Sequence, residues 1–384
     1  MKSLVVFAAD PLKNYLEKGE LKERYWNPHE IFSEIHVISF CDYDVDGEKV
    51  RTLFGKADVF VHAIGRPSLL NFPLLCYKAK RIIGQIKPDL IRGQGLWHAG
   101  SIAAYCGHSL SIPTVVSVHT NRNMQRKLYP NIRLKLIKIL EWYTIRRAKV
   151  LLTVSNYLRN HIKQRRGQLV FTSYNRVYGD QFDHRRNYSV NGRRFKLLTV
   201  MRLDYPKDPF TIINSIQSIC DADLTIVGQG EFKSELTILV DELGLTDRVQ
   251  FVDAIPNNQI HNLYSEADIF LMATHFEGFC IPVLEAMASG LPVVSCATDP
   301  IPELLGDTGL ITKQDSHSFK ESIVRLMRDK DFRESLGKSA KKRAHKMDGS
   351  LMEDREIKLF KSLMCRQENE IRSLCENKIA DFAL

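Results

Sequence analysis

The chain has 384 residues, 44% of them hydrophobic and 26% charged, and a net charge of +9. That length is too great for one ordinary core and suits two domains, while the composition excludes a largely disordered chain. No apolar run reaches the roughly 18 residues that cross a bilayer. The eight cysteines are scattered, with no CxxC pair and no zinc-ligand spacing, which leaves reduced thiols in a cytoplasmic protein.

The first apolar run, Leu4 to Ala9, stops at Asp10 without a small-residue cleavage pattern and predicts a strand rather than a signal peptide. Runs at 35–40, 59–64, 89–93, 114–118, 150–154 and 169–173 predict further strands, with helix-like stretches between them. CDYDVDG at 41–47 mimics a calcium loop, but Leu53 stands where the bidentate Glu belongs and a strand precedes it. Between Arg122 and Arg166 there are 13 Lys or Arg against the single acid Glu141, a local charge of +12, so the rest of the chain sums to −3. Leu128, Ile132, Leu136, Ile139, Leu140 and Tyr143 recur there at helical spacing among the cations. Such a helix lies on an anionic membrane surface or turns its apolar stripe into the core and its basic face to water. No DNA- or RNA-reading motif accompanies the charge, so nucleic acid is not a predicted partner.

After a polar stretch at 174–194 the pattern restarts, with strands predicted at 195–202, 224–228, 249–253, 268–273 and 291–296. Two amphipathic surface helices follow Ser318, and one long helix is predicted over 351–384. Strands alternating with helices form parallel sheets covered on both faces. Two such series predict an α/β protein of two doubly wound, Rossmann-like domains facing a cleft, over 1–185 and 192–350, with the final helix packing back on the first.

The second series carries the chemistry. HFEGFCIPVLEAMASGLPVV (275–294) reads as a turn, a helix opened by Pro282 and stopped at Gly290, and a strand. It holds two carboxylates, Glu277 in the turn and Glu285 about one turn into the helix. Burying a carboxylate without partners is costly, whereas both positions lie at the carboxyl end of a strand, where open α/β sheets bind ligands. A helix N-terminus there suits phosphate oxygens, and a carboxylate one turn in suits a sugar diol. Arg202 and Lys207 in VMRLDYPKDP follow the first strand of this series and are the cations a diphosphate needs when no metal is supplied. IVGQGEF (226–232) adds a turn at Gly228 and Gly230 where the backbone approaches a ligand. Lys233 stands where a dinucleotide fingerprint needs its third glycine, so an NAD fold is not predicted.

Together these pieces resemble glycosyltransferase family 4, retaining enzymes of the GT-B fold that use nucleotide-sugar donors. The resemblance rests on the E-x7-E block EGFCIPVLE, on AMASGLPVV and PIPELLGDTGLI, on RLDYPK and on VGQGE. It implies that Arg202 and Lys207 bind the diphosphate, that Glu285 accepts the ribose hydroxyls, and that Glu277 acts at the donor sugar near its anomeric carbon. Backbone N–H groups of Gly278, Phe279, Cys280 and Ile281 would line sugar and phosphates. It further implies transfer onto a glycan or lipid-linked acceptor in cell-surface polysaccharide or lipopolysaccharide synthesis, with no metal or other cofactor. The setting would be cytoplasmic, peripheral on the inner face of the membrane through residues 122–166. Another GT-B activity, a phosphorylase or sucrose-type synthase, and an inactive GT-B scaffold that binds glycan or a partner stay open.

The first series should carry the acceptor. His119 ends a strand where family members keep a histidine near donor sugar and acceptor, and a structural hydrogen-bonding role stays open beside the catalytic one. His98 stands at a similar turn, and Ser155 or Asn156 should cap the following helix. Two stretches depart from the family. The first strand is followed by Lys18, Gly19, Glu20 and Arg24 rather than by a glycine-rich loop, and Arg176 replaces the glycine of an Asn-Gly-Val-Asp pattern.

Overall fold

The computed structural model describes residues 2–376 except 18–20, 69, 129–131, 167, 185, 254 and 257–258. The chain divides into two compact units, the first running to Tyr174 and resuming at Met352, the second spanning Asn175–Leu351.

The first unit alternates β1 (Ser3–Phe7), α1 (Leu12–Glu17), β2 (Glu34–Ser39), β3 (Asp58–Ala63), α2 (Phe72–Ile86), β4 (Leu90–Gln94), α3 (His98–Leu110) and β5 (Thr114–Val118). It continues with α4 (Arg122–Leu128), α5 (Ile132–Arg147), β6 (Val150–Thr153), α6 (Asn156–Arg166) and β7 (Val170–Thr172). The seven strands pair in the order β3-β2-β1-β4-β5-β6-β7, and every pairing is parallel. The apolar runs become strands because both sheet faces are covered. On one face Val5, Phe7, Ile38 and Ile91 pack with Leu75, Ala79 and Ile83 of α2 and with Ala99, Ile102 and Ala103 of α3. On the other, Leu4, Val6, Ile35 and Val37 pack with Leu359, Phe360 and Leu363, which return from the end of the chain.

The second unit runs β8 (Phe195–Val200), α7 (Pro209–Ile216), β9 (Ala222–Val227), α8 (Lys233–Glu242), β10 (Val249–Val252), α9 (Ile260–Glu266) and β11 (Ile269–Met272). Then come α10 (Ile281–Ala288), β12 (Val293–Cys296), α11 (Ile301–Leu305), β13 (Leu310–Thr312), α12 (Ser316–Arg328) and α13 (Lys330–His345). Its sheet order is β10-β9-β8-β11-β12-β13. Both sheets therefore reverse direction once, between β1 and β4 and between β8 and β11, and such switch points are where open α/β sheets form ligand crevices.

Three expectations change. The polar stretch that separates the two series belongs from Asn175 on to the second unit, to which it is pinned. The Arg186 guanidinium donates to the carbonyls of Tyr264, Ala267 and Ser289, and the Tyr188 hydroxyl donates to Gly290 O at 2.8 Å. The division accordingly falls at Asn175, ahead of the expected edge at 185. The single final helix is two, α14 (Gly349–Met364) and α15 (Glu368–Glu376), broken where Arg366 takes a left-handed φ of 56°; residues 377–384 lie outside the described residues. Strand β13 had no counterpart in the sequence reading, three residues being too few to show a period.

Candidate active site

In the second unit the segments after β8 and β11 are stitched together at the switch point. Asp208 N donates to Ala273 O at 3.0 Å and His275 N to Pro206 O at 2.9 Å, and Lys207 bridges Thr274 in the antiparallel sense. This register carries the Lys207 side chain to Glu277, with which it forms an ion pair whose partners are 13% and 9% exposed. Burial by itself lowers the Lys207 pKa, but the Glu277 carboxylate outweighs it and holds the ammonium above its ordinary value. Arg202 is a different kind of cation. It is 70% exposed, lies 3.3 Å from Asp204, and is close enough for its charge to oppose that of Lys207.

Helix α10 begins immediately after this pair. Phe279 and Cys280 are buried, and Cys280 adopts φ 76° at the N-cap, turning the chain from the loop into the helix. Burial and the nearby Glu277 push the Cys280 thiol well above its ordinary pKa, so it is an un-ionised thiol. Gly278 and Ile281, on either side of these two, are half-buried. Glu285 is buried one turn in and accepts from the Tyr264 hydroxyl at 2.8 Å. Burial and that carboxylate raise the Tyr264 pKa well above its usual value, so the phenol stays a donor.

Gly228 has a structural task. It adopts φ 142°, and a Cβ there would lie 1.9 Å from Met201 O; one at Gly230 would lie 2.2 Å from Leu203 O. Leu203 N also donates to Gln229 O at 2.8 Å. The two glycines thus let the turn after β9 lie flat against the residues that lead to Lys207.

The first unit has a pocket of about 300 Å³ lined by Ala9, Tyr15, Gln94, His119, Thr120, Arg122 and their neighbours, at the carboxyl ends of β1, β4 and β5. Gln94 Oε1 accepts from Ala9 N and from the Tyr15 hydroxyl, both at 3.0 Å. His119 lies on this wall, and its buried Nε2 has no hydrogen-bond partner among the described residues. Burial, with Arg92 adding repulsion and Glu356 opposing it, lowers the His119 pKa to about 4, so the ring is neutral at pH 7. His98, at the start of α3, is lowered to about 4 as well, again chiefly by burial, and its ring meets Phe40 edge-on at 4.6 Å. Behind His119 the buried pair Arg92–Glu356, 3.4 Å apart, ties β4 to α14.

Lys18, Gly19 and Glu20 lie outside the described residues, and Arg24 is 3.4 Å from Glu23. Asp44 of CDYDVDG is buried and accepts from Leu12 N at 2.7 Å and Lys13 N at 2.9 Å, capping α1. Among the described residues no group of three or more His, Cys, Asp or Glu side chains is placed to hold a metal ion. Ser155, rather than Asn156, caps α6, its hydroxyl accepting from Leu158 N at 3.2 Å.

Comparison with known proteins agrees with this architecture. Residues 180–343 match the family described as Glycosyl transferases group 1, and residues 33–173 match Glycosyltransferase Family 4. The chain belongs to this GT-B glycosyltransferase family. It is 25% identical over 331 residues to an uncharacterized glycosyltransferase of Methanocaldococcus jannaschii, covering 80% of this chain and 84% of that one. It is also 25% identical over 308 residues to the sulfoquinovosyl transferase of Arabidopsis thaliana, covering 73% and 59%. Its backbone resembles HepE of Anabaena, solved in complex with UDP-glucose, with a TM-score of 0.74 at 17% identity over 96% of this chain and all of the other.

Several parts of the glycosyltransferase's two crevices escaped the sequence reading. Tyr264 precedes its partner Glu285 by 21 positions, on another helix, and no local pattern joins them. Arg92 did leave a signal, a charge inside the apolar strand LIRGQ, but its partner Glu356 is 264 residues away. Arg122 was visible only as one cation of the basic stretch.

Proposed function

We propose that this glycosyltransferase is a retaining enzyme that moves a hexose from a nucleotide-diphosphate donor to a glycan or lipid-linked acceptor of cell-surface polysaccharide or lipopolysaccharide synthesis. The observation that carries the reading is the turn after β11, where Lys207, Glu277 and Glu285 meet the first turn of α10 at the switch point of the sheet. Lys207 has three N–H donors, and after one is given to Glu277 the others are available to diphosphate oxygens, with Arg202 as the second cation. Glu285, oriented by Tyr264, accepts the ribose hydroxyls, and Glu277 acts at the donor sugar. The backbone at Gly278, Phe279, Cys280 and Ile281 lines sugar and phosphate. As the bond from the anomeric carbon to the diphosphate breaks, the acceptor oxygen bonds on the same face and its proton passes to the departing phosphate oxygen. Catalysis is then positioning plus electrostatic stabilisation, with His119 at the acceptor side.

The cations at hand meet the charge of the leaving group, and the proposal assigns no metal. EDTA should therefore leave the rate unchanged, and its loss on chelation would contradict the assignment. The donor is identified by thermal shift with UDP, GDP and ADP and then with their sugars, since a ligand that binds only the folded state raises its apparent stability. Slow hydrolysis of the donor found this way excludes an inert scaffold. A strict requirement for inorganic phosphate or a free sugar would point instead to a phosphorylase or synthase.

The protein is further proposed to act peripherally at the cytoplasmic face of a membrane. On α5 Ile139 is 70% and Trp142 40% exposed, beside exposed Lys138 and Arg146, an apolar and basic surface suited to anionic headgroups. Leu140 and Tyr143 are half-buried, and the side chains of Leu128, Ile132 and Leu136 lie outside the described residues. No described helix is long and apolar enough to cross a membrane. Sedimentation with anionic but not zwitterionic vesicles is expected, and absence of binding at low salt would remove the membrane from the proposal.

A further inference from the structure

We propose that the pocket of the first unit takes an acceptor bearing an anionic group, a phosphate or a carboxylate, and that Arg122 holds that group. The inference rests on the glycosyltransferase reading, which makes this pocket the acceptor side, and adds the chemical class of the acceptor. Its basis is the charge and donor balance of the wall. Among the described lining residues Arg122 carries the single formal charge, and no carboxylate is present. The guanidinium has five donors, and its one side-chain partner among the described residues is the neutral Gln125 oxygen, at 2.7 Å.

Glu141 lines with Arg126 the adjoining pocket that Arg122 also borders, and burial lowers the Arg122 pKa while the charge of Glu141 raises it and that of Arg126 lowers it. The nearby carboxylates are nonetheless hydrogen-bonded to other cations or face water. Glu141 is buried and is gripped by Arg126 through two contacts of 2.8 and 2.7 Å. Glu356 is paired with Arg92 and accepts from the Ser173 hydroxyl. Asp10, next along the chain from Ala9, is exposed. The neutral wall also offers donors. The oxygen of Gln94 is occupied by Ala9 N and Tyr15, which leaves its NH2 group, and Thr120 adds a hydroxyl. A neutral sugar presents several hydroxyl protons that need acceptors, whereas an oxyanion needs donors and a positive charge and is bound bidentately by arginine.

The test uses the full chain saturated with UDP, so that the diphosphate site of the second unit is filled before the first is probed. Orthophosphate, malate and glucose are then titrated at constant ionic strength, followed by isothermal titration calorimetry, with wild type, Arg122→Gln and Arg122→Lys. One of the two anions should bind more tightly than glucose, which tells a phosphate from a carboxylate acceptor. Arg122→Gln should weaken it by about tenfold or more, the loss of a charge-assisted contact, and Arg122→Lys by less. UDP affinity should be the same in all three proteins, which also shows that the variants are folded. Glucose binding more tightly than both anions, no anion binding to wild type, or equal anion affinity in Arg122→Gln would overturn the proposal. Failure of the glycosyltransferase reading has a separate signature, wild type that neither binds UDP nor hydrolyses any nucleotide sugar.

Discussion

Glu285 is the clearest case of a side chain whose surroundings state its task. It is buried in a helix of otherwise apolar residues, and Tyr264 orients it. Glu285→Ala should raise the donor KM about tenfold or more, as expected for losing hydrogen bonds to a charged acceptor. Tyr264→Phe, which keeps the carboxylate and loses its orienting partner, should raise it by only about threefold. Steady-state kinetics with the identified donor decides, and equal effects would make Glu285 a packing residue. The Lys207–Glu277 pair makes a stability prediction. Lys207→Met leaves a buried carboxylate unpaired and should cost about 3 kcal/mol, while Lys207→Met with Glu277→Leu should recover more than half of it. Urea denaturation checks both, and a double variant no more stable than the single one would contradict the coupling.

At the scale of elements, the strand-turn-helix unit from β11 through α10 was legible because its signals are local: an apolar strand, Pro282 at the helix start, Gly290 with φ 71° at its end. The turn after β9 was legible in position but its packing was not, since the backbone that Gly228 abuts is that of Met201, just past the end of the neighbouring strand β8. Gly228→Ala adds a clash with that carbonyl to the strain of a positive φ and should destabilise the protein by more than about 2 kcal/mol. Gly192→Ala, at φ 70° with open space around its Cβ, should cost only about 1 kcal/mol. Equilibrium unfolding of the two variants makes the comparison, and equal losses would show that backbone strain alone is at work. The break in the final helix was missed because MEDREIKLFKSLMCRQENEIRSLC has no glycine or proline to announce it; Arg366 takes the left-handed conformation itself.

For the whole molecule, the two low histidines set an acid limit. His98 and His119 both lie in the first unit, and burial lowers each from 6.5 to about 4. The folded state thus refuses protons that the unfolded chain accepts. Their contribution is fully present above about pH 6.5, falls as the pH drops towards 4, and is gone below it, at on the order of 2–3 kcal/mol for each. Urea midpoints between pH 7 and 4.5 should fall less steeply in His119→Gln than in wild type, and parallel curves would show that His119 is not held neutral. The sequence by itself determined the alternation of strands and helices, the two series, and the E-x7-E turn with its cations, because all of these are written in short-range periodicity and in residues that punctuate it. Only the tertiary structure decided that Lys207 pairs with Glu277, that Tyr264 orients Glu285, that Glu356 returns to Arg92, and that Arg122 is the one charged residue among the described lining of the first unit's pocket. The three pairings are contacts between residues far apart in the chain, and the pocket lining gathers the ends of β1, β4 and β5; both follow from sheet order and from the cost of leaving a buried charge unpaired, which local sequence does not express.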